Sequence, residues 1–286
     1  MSLLVALVLG VVQGVFMFVP VSSTSHLVLT QTLLRERGVP LPAPDSPEMV
    51  LFDLVVHVGT LVSVVVVMGA GLRELGTGVR RREPVAVRLV GLMLLSVVVT
   101  GAVGWWLQDA LTRVFGTPML IAVALLVTGG MLWWTDDMTP AADRGRLRFA
   151  WRDEAQIGVG TAVAIGLAQA AALTPGLSRS GTTIFAALLL GMPRALAARY
   201  SFFVAIPTIL GATGVQALQV ALGEGFGEVG WGAMLTGFVV AAAVGTVALW
   251  AVLRLLEQAR FRVFAWYVWV LAAVVLVAGI GLEAHG

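Results

Sequence analysis

The chain has 286 residues, of which 59% are hydrophobic and 12% are charged, so its composition excludes an ordinary soluble protein and indicates an integral membrane protein with several spans. It contains no cysteine, which excludes disulfides and thiolate-ligated metals. Its net charge of +2 is too small to indicate a nucleic-acid partner, so we expect one polytopic domain in a bilayer over residues 1–286.

The first apolar stretch, Leu3 to Leu34, is interrupted by a hydroxyl-rich segment from Pro20 to His26. Polar groups at membrane depth must be satisfied inside the protein, so such a segment indicates a site rather than a continuous span. The stretch Ile157 to Leu190 is interrupted in the same way between Thr174 and Thr183. Each stretch has about the length of two half-depth helices, which predicts two re-entrant helical hairpins.

Six further apolar stretches are long enough to cross a hydrocarbon core, which takes about 20 helical residues. They are Met49–Leu72, Val85–Leu107, Pro118–Trp134, Ala197–Leu222, Trp231–Leu256 and Phe264–Leu282. With this count the arginine-rich loops share one side of the membrane, which the positive-inside rule makes cytoplasmic. These loops are 73–82, 144–152, 194–199 and 254–262. Both termini then lie outside, and the 35–48 loop, with two arginines, is the exception.

An internal repeat relates the two halves of the chain. Gly91–Gly104 aligns without gaps with Gly232–Gly245 at its terminal glycines and several apolar residues, and the tetrapeptide before the first hairpin turn, 10–13, resembles 166–169. This predicts two repeats, about 1–134 and 157–282, each with one hairpin and three spans. Because each repeat crosses the membrane three times, the second repeat begins on the opposite side and is inverted. Such repeats place a site near the midplane, where the N-termini of broken helices favour an anion.

Few ionisable side chains lie within the apolar segments, and these are functional candidates by default. They are His26, Asp53, His57 and Arg179. Arg179 keeps its charge, and its planar guanidinium suits a phosphate, so it predicts a phosphate-binding residue among neighbouring hydroxyls. Those hydroxyls belong to Ser178, Ser180, Thr182 and Thr183. The alternative is an interfacial arginine that extends to water.

His26 follows a run of hydroxyls from Ser22 to Ser25. It suits a general acid or base, or a group that activates Ser22 or Ser23. Alternatively, the histidine hydrogen-bonds to the backbone and the serines cap the second half-helix, a role that is compatible with phosphate binding. Asp53 and His57 are four residues apart on one helical face, which fits either a pair that lines the site or a structural pair.

Four stretches, in order along nearly the whole chain, carry a family resemblance. They are Gly10–His26, Phe52–Thr60, Pro175–Thr182 and Ser201–Pro207. Together they resemble the BacA-type undecaprenyl pyrophosphate phosphatases. The resemblance implies an enzyme of the bacterial inner membrane that removes the terminal phosphate of undecaprenyl diphosphate, so that the lipid carrier of cell-wall synthesis is reused. It also implies a divalent cation, Mg²⁺ or Ca²⁺, whose ligands stay undetermined, and leaves the oligomeric state open, a homodimer included.

On this resemblance the predicted catalytic residues are Ser22, Ser23, His26 and Arg179, and the predicted substrate-binding residues are Gln13, Thr24, Ser178, Ser180 and Thr182. A serine or an activated water attacks, His26 transfers the proton, and Arg179 holds the diphosphate. The chain departs from the family pattern at Met17, where the family has glutamate, and a thioether does not bind hard cations. A second function therefore stays open, a transporter or binder of phosphorylated prenyl lipid.

Overall fold

The computed structural model describes residues 1–43, 46–115, 118–138, 157–223 and 230–283, and within these ranges the regular structure is entirely helical. The ten helices of this part of the chain are α1 (Leu3–Phe16), α2 (Ser23–Glu36), α3 (Pro47–Arg80), α4 (Pro84–Phe115), α5 (Pro118–Asp137), α6 (Val159–Ala171), α7 (Arg179–Leu189), α8 (Arg194–Leu222), α9 (Trp231–Glu257) and α10 (Arg262–Glu283). This confirms the predicted all-α class.

Five helices are long and apolar enough to cross a membrane, namely α3, α4, α5, α8 and α9. They contain five of the six predicted spans and show a multi-pass membrane protein. The sixth predicted span, Phe264–Leu282, falls within α10. The part of α10 whose side chains are described, Arg262–Val277, is an apolar helix shorter than the five long ones.

Both interrupted stretches fold as pairs of short helices that break at the motifs. In the first pair, α1 ends at Phe16 and α2 begins at Ser23, and the two helices pack together. In the second pair, α6 ends at Ala171 and α7 begins at Arg179, again with direct packing. The helix breaks therefore lie where the proline- and serine-rich motifs predicted them.

The helices form two compact units that are interleaved along the sequence. The first unit comprises Met1–Val19, Ser23–Gly69 and Ala205–Val252. The second comprises Pro20–Ser22, Ala70–Val204 and Leu253–Gly286. The first hydroxyl-rich motif is thus divided, because Ser22 belongs to the second unit and Ser23 to the first.

In the first unit, α1 crosses α9 so closely that a side chain larger than hydrogen does not fit at Gly10. A Cβ there would lie 2.9 Å from the Gly237 carbonyl oxygen and 3.1 Å from the Val240 Cβ. Leu9 and Phe52, both fully buried, belong to the core beside this crossing. Small residues let helix backbones approach in this way.

In the second unit, α6 crosses α4 by the same device. A Cβ at Gly166 would lie 2.8 Å from the Ser96 carbonyl oxygen and 2.9 Å from the Val99 Cβ. The repeat found in the sequence aligns Gly166 with Gly10, and it aligns residues 96 and 99 with residues 237 and 240. Equivalent residues therefore make equivalent crossings inside each unit.

A buried ion pair joins α5, α8 and α10 in the second unit. The exposed fractions of Arg194 and Asp136 are 5% and 4%, and Arg194 Nη1 lies 3.7 Å from Asp136 Oδ1. The carboxylate accepts the backbone N–H groups of Phe261 and Arg262 at 3.0 and 2.9 Å, so it caps the N-terminus of α10. Arg194 also donates to the carbonyl oxygen of Thr135. The pair is thus satisfied on both sides, as buried charges must be.

The glycine crossing predicts a loss of stability for Gly166→Ala, because the added methyl meets backbone of α4 that cannot move cheaply. We expect destabilisation by about 1–3 kcal/mol, seen as a lower thermal midpoint in detergent. The control is Gly160→Ala on the same helix, where a Cβ meets no atom within 4 Å. The control should be neutral or slightly stabilised. Equal midpoints for the two variants would contradict the close crossing.

Candidate functional site

Ser22 links the first motif to the second inside the second unit. Its φ of 69° is left-handed, which is uncommon and costly for a residue with a side chain and persists only where surrounding contacts hold it. Its Oγ accepts a hydrogen bond from the Gly176 N–H at 3.4 Å. The strained turn therefore aims the Ser22 hydroxyl at the turn before α7.

The turn before α7 requires glycine and is held by α5. Gly176 has a φ of 92°, and a Cβ there would lie 2.6 Å from the Ile121 carbonyl oxygen. Thr128 Oγ1 donates to the Gly176 carbonyl oxygen at 2.9 Å and accepts the Ser178 N–H at 3.3 Å. A single hydroxyl of α5 thus satisfies two backbone groups of the break.

The N-terminus of α7 combines a cap with a half-buried cation. Ser178 is the N-cap, and its Oγ accepts the Gly181 N–H at 3.2 Å. Arg179 is the first residue of the helix. Its Nη1 is buried and has no hydrogen-bond partner among the residues that the structure describes, and the same holds for Thr182 Oγ1. A buried donor without a partner costs about 1–3 kcal/mol, and more when it is charged.

These features suit an anion. A helix N-terminus attracts negative charge through its free N–H groups and its dipole. The guanidinium adds a full positive charge and paired donors. Ser180 and Thr183 are buried beside them. The Thr183 hydroxyl is 2.6 Å from Ser201 Oγ, so it joins α7 to the Ser201–Pro207 stretch on α8.

In the first unit, the predicted residues Gln13, Ser23 and His26 surround the end of α1. Gln13 is fully buried; its Nε2 donates to Met17 Sδ at 3.5 Å and its Oε1 has no partner in the described ranges. Ser23 Oγ lies 3.9 Å from the same sulfur. The His26 ring stacks on Phe16 with centroids 3.9 Å apart, which fixes the orientation of the imidazole. Thr24, in contrast, is exposed on α2.

Asp53 and His57 connect helices inside the first unit. The Asp53 carboxylate accepts from Gln31 Nε2 at 2.9 Å, so it ties α3 to α2. The His57 Nδ1 lies 2.6 Å from the Asp53 carbonyl oxygen of its own helix. Of the two alternatives drawn from the sequence, these contacts favour the structural one.

Two residues of this network were missed from the sequence, Thr128 and Gln31. Thr128 lies in the predicted span Pro118–Trp134 and Gln31 in the first predicted hairpin, and neither belongs to the predicted site residues. The signal for Thr128 was present, since a hydroxyl followed by two glycines interrupts an otherwise apolar span. Nothing local distinguishes Gln31, whose role depends on a partner 22 positions away.

Comparison with known proteins assigns the chain. A family model described as "Bacitracin resistance protein BacA" matches residues 6–274. The chain belongs to the BacA family. Among its relatives, the "Undecaprenyl-diphosphatase" of Halorhodospira halophila is 48% identical, and the match covers 99% of each chain. The protein of the same name from Alkalilimnicola ehrlichii is 46% identical over 95% of each chain.

The residues do not fit a protein-held site for the divalent cation that the BacA resemblance implies. Mg²⁺ and Ca²⁺ bind carboxylate, carbonyl and water oxygens. Within the described ranges, no group of three or more His, Asp or Glu side chains lies together. At the position of the family's glutamate, the Met17 sulfur is in contact with Gln13 and Ser23. Close to Met17 in the sequence, the side-chain oxygen that lacks a partner among the described residues is Gln13 Oε1. It belongs to a neutral amide.

Thr128→Val tests whether α5 holds the turn before α7. Valine keeps the shape of threonine but removes both hydrogen bonds, so we expect a loss of about 1–3 kcal/mol in stability. Hydrogen exchange in the peptide covering residues 174–183 should become faster. Thr246→Val is the control, because the Thr246 hydroxyl bonds within its own helix, to the Ala242 carbonyl oxygen. Unchanged exchange in Thr128→Val would show that the turn is held by other contacts.

Proposed function

We propose that this chain is an undecaprenyl-diphosphatase of the bacterial inner membrane. Such an enzyme hydrolyses the terminal phosphate of undecaprenyl diphosphate, so that the lipid carrier of cell-wall synthesis is used again. The observation that carries the proposal is the Arg179 guanidinium at the N-terminus of α7, whose Nη1 is buried without a protein partner among the described residues. The names and near-complete coverage of the two relatives support it.

The second unit binds the phosphate in this proposal. The α7 N-terminus and Arg179 contact the terminal phosphate oxygens, with Ser178, Ser180 and Thr182 around them. As the anhydride bond breaks, negative charge is spread over these oxygens and grows on the bridging oxygen, and fixed donors stabilise that charge more than water does. Arg179 therefore acts both in binding and in the transition state.

The hydroxyls and His26 supply the nucleophile and the proton transfer. The attacking oxygen, from Ser22, Ser23 or a water molecule, bonds to the terminal phosphorus, and the bond from that phosphorus to the bridging oxygen breaks. His26 takes the proton of the nucleophile as general base. With water the products are undecaprenyl phosphate and inorganic phosphate. A serine nucleophile would give a phosphoserine that a water then hydrolyses.

The proposal includes the finer architecture, six spans and two re-entrant hairpins in an inverted repeat of about 1–134 and 157–282. The helix breaks at both motifs and the equivalent glycine crossings at Gly10 and Gly166 support it.

Any divalent cation would then arrive with the diphosphate oxygens, since the described side chains form no acidic cluster.

The same site without chemistry would make a binder or transporter of phosphorylated prenyl lipid. The observation that favours this second function is Met17, because a thioether neither accepts a proton at neutral pH nor binds Mg²⁺. The sequence nevertheless has Ser22, His26 and Arg179 in its two hydroxyl-rich motifs. Release of phosphate separates the two functions, since only the phosphatase produces it.

Arg179→Lys tests the proposed function through the geometry of the guanidinium. Lysine keeps the charge but loses the planar pair of donors, so kcat/KM for undecaprenyl diphosphate should fall by about 10²-fold. The control is Arg199→Lys, because Arg199 is a buried arginine of the same unit whose Nη2 lies 3.9 Å from the Glu74 carboxylate. Phosphate release is measured on folded protein in detergent. Near-normal turnover in Arg179→Lys would contradict the role of Arg179, and a wild type that binds the lipid but releases no phosphate would favour the binder.

A further inference from the structure

The stretch Ser201–Pro207 on α8 is part of the family resemblance, but the proposed chemistry gives it no role. Its first residue, Ser201, is buried, and its Oγ lies 2.6 Å from Thr183 Oγ1 on α7. Both residues belong to the second unit. A hydroxyl that is buried in an apolar bundle needs a hydrogen-bond partner. The contact therefore ties α8 to the helix that begins with Arg179.

The direction of this hydrogen bond follows from the number of hydroxyl hydrogens. Thr183 Oγ1 lies 2.8 Å from the Arg179 carbonyl oxygen and 3.3 Å from that of Ser180, and carbonyls only accept. The single hydroxyl hydrogen of Thr183 is therefore used within α7. Thr183 Oγ1 then accepts from Ser201, whose hydroxyl has no other acceptor among the residues that the structure describes. In the reverse direction the Ser201 hydrogen would be buried without an acceptor, which is costly.

The acceptor at the end of this chain belongs to the peptide between Arg179 and Ser180. The peptide is planar, so a bond that fixes the Arg179 carbonyl also fixes the direction of the Ser180 N–H. The next two N–H groups are used by the cap, since Gly181 N–H donates to Ser178 Oγ and Thr182 N–H to the Ser178 carbonyl oxygen. The helix itself provides no acceptor for the Ser180 N–H. This N–H is thus a donor for an anion at the start of α7.

We infer that Ser201 is a positioning residue for phosphate, which acts through Thr183 to orient the Ser180 N–H. Hydrogen bonds in a chain polarise one another, so a donor on the carbonyl also makes the N–H of the same peptide a stronger donor. The inference rests on the proposed function, because it takes the lipid diphosphate as the anion at the α7 N-terminus. Ser201 itself contacts no reacting atom.

The preceding residue of α8, Tyr200, provides a matched control. Tyr200 is as deeply buried as Ser201, and its hydroxyl lies 3.0 Å from Ser96 Oγ, so it bonds α8 to α4 rather than to α7. Tyr200→Phe and Ser201→Ala each remove one buried hydroxyl and one hydrogen bond between helices. Both variants should therefore lower the thermal midpoint in detergent by a few degrees. Only Ser201→Ala removes the donor to Thr183.

The test measures phosphate release from undecaprenyl diphosphate and the affinity for farnesyl methylenediphosphonate, in which a carbon replaces the bridging oxygen and prevents hydrolysis. An unfolded fraction lowers turnover but leaves the dissociation constant unchanged, so the affinity separates positioning from loss of folding. Ser201→Ala should reduce kcat/KM about tenfold and the affinity about fivefold, the size of one net hydrogen bond. Tyr200→Phe should equal the wild type in both quantities. Ser201→Cys, which fills the space with a weak donor, serves the same purpose if Ser201→Ala does not fold.

A double variant tests whether Ser201 acts through Thr183. Once Thr183→Val has removed the acceptor, adding Ser201→Ala should lower kcat/KM by less than about twofold, because the two hydroxyls act as one chain. Losses that multiply in the double variant, equal effects of Ser201→Ala and Tyr200→Phe, or unchanged kcat/KM and affinity in Ser201→Ala would overturn the inference. A wild type that releases no phosphate would refute the phosphatase instead, and the affinities for the diphosphonate would then decide the role of Ser201.

Discussion

The structure depends on one constraint, that polar backbone groups must find partners inside the protein wherever a helix breaks in an apolar bundle. Before α7 this is met by a few hydroxyls: Thr128 binds the Gly176 carbonyl oxygen and the Ser178 N–H, and Ser22 accepts the Gly176 N–H. Once these groups are satisfied, Arg179 Nη1 still lacks a partner in the part of the chain that the structure describes. The contacts that permit the break thus also present a cation at a helix N-terminus, and the proposed phosphate binding rests on that cation.

Much of the fold follows from apolar length and from the residues that interrupt it. The helix class, the long apolar helices and both breaks could be predicted because each depends on neighbours in sequence. The ion pair of Arg194 and Asp136 could not. In the sequence Arg194 belongs to an arginine-rich loop that indicates topology, yet it is buried, because Asp136 caps the start of α10 and needs a counter-ion. Loop charge alone does not show such a partner, which comes from a distant helix.

Residues of the candidate site could be predicted where an ionisable side chain, which is costly to bury, stands in an apolar stretch of sequence. Arg179 and His26 were found in this way, and the structure gives each a defined environment, an N-terminal turn for the first and a stacked Phe16 ring for the second. Thr128 was not found, since a threonine costs little in a helix and becomes important only through the backbone it touches. A division of the chain between two units, which separates Ser22 from Ser23, is likewise a property of packing rather than of local sequence.

The central claim is that the hydroxyls, His26 and Arg179 hydrolyse the lipid diphosphate even though Met17 stands where the family has an acid. Phosphate release from undecaprenyl diphosphate by the wild type, Met17→Glu and Met17→Gln, across a range of Mg²⁺ concentrations, tests it most directly. Monodispersity and the thermal midpoint establish folding first, because a buried carboxylate costs several kcal/mol or becomes protonated. The account predicts release by the wild type, faster and more steeply Mg²⁺-dependent release by Met17→Glu, and no such gain in Met17→Gln. No release by the wild type or by a folded Met17→Glu would contradict it.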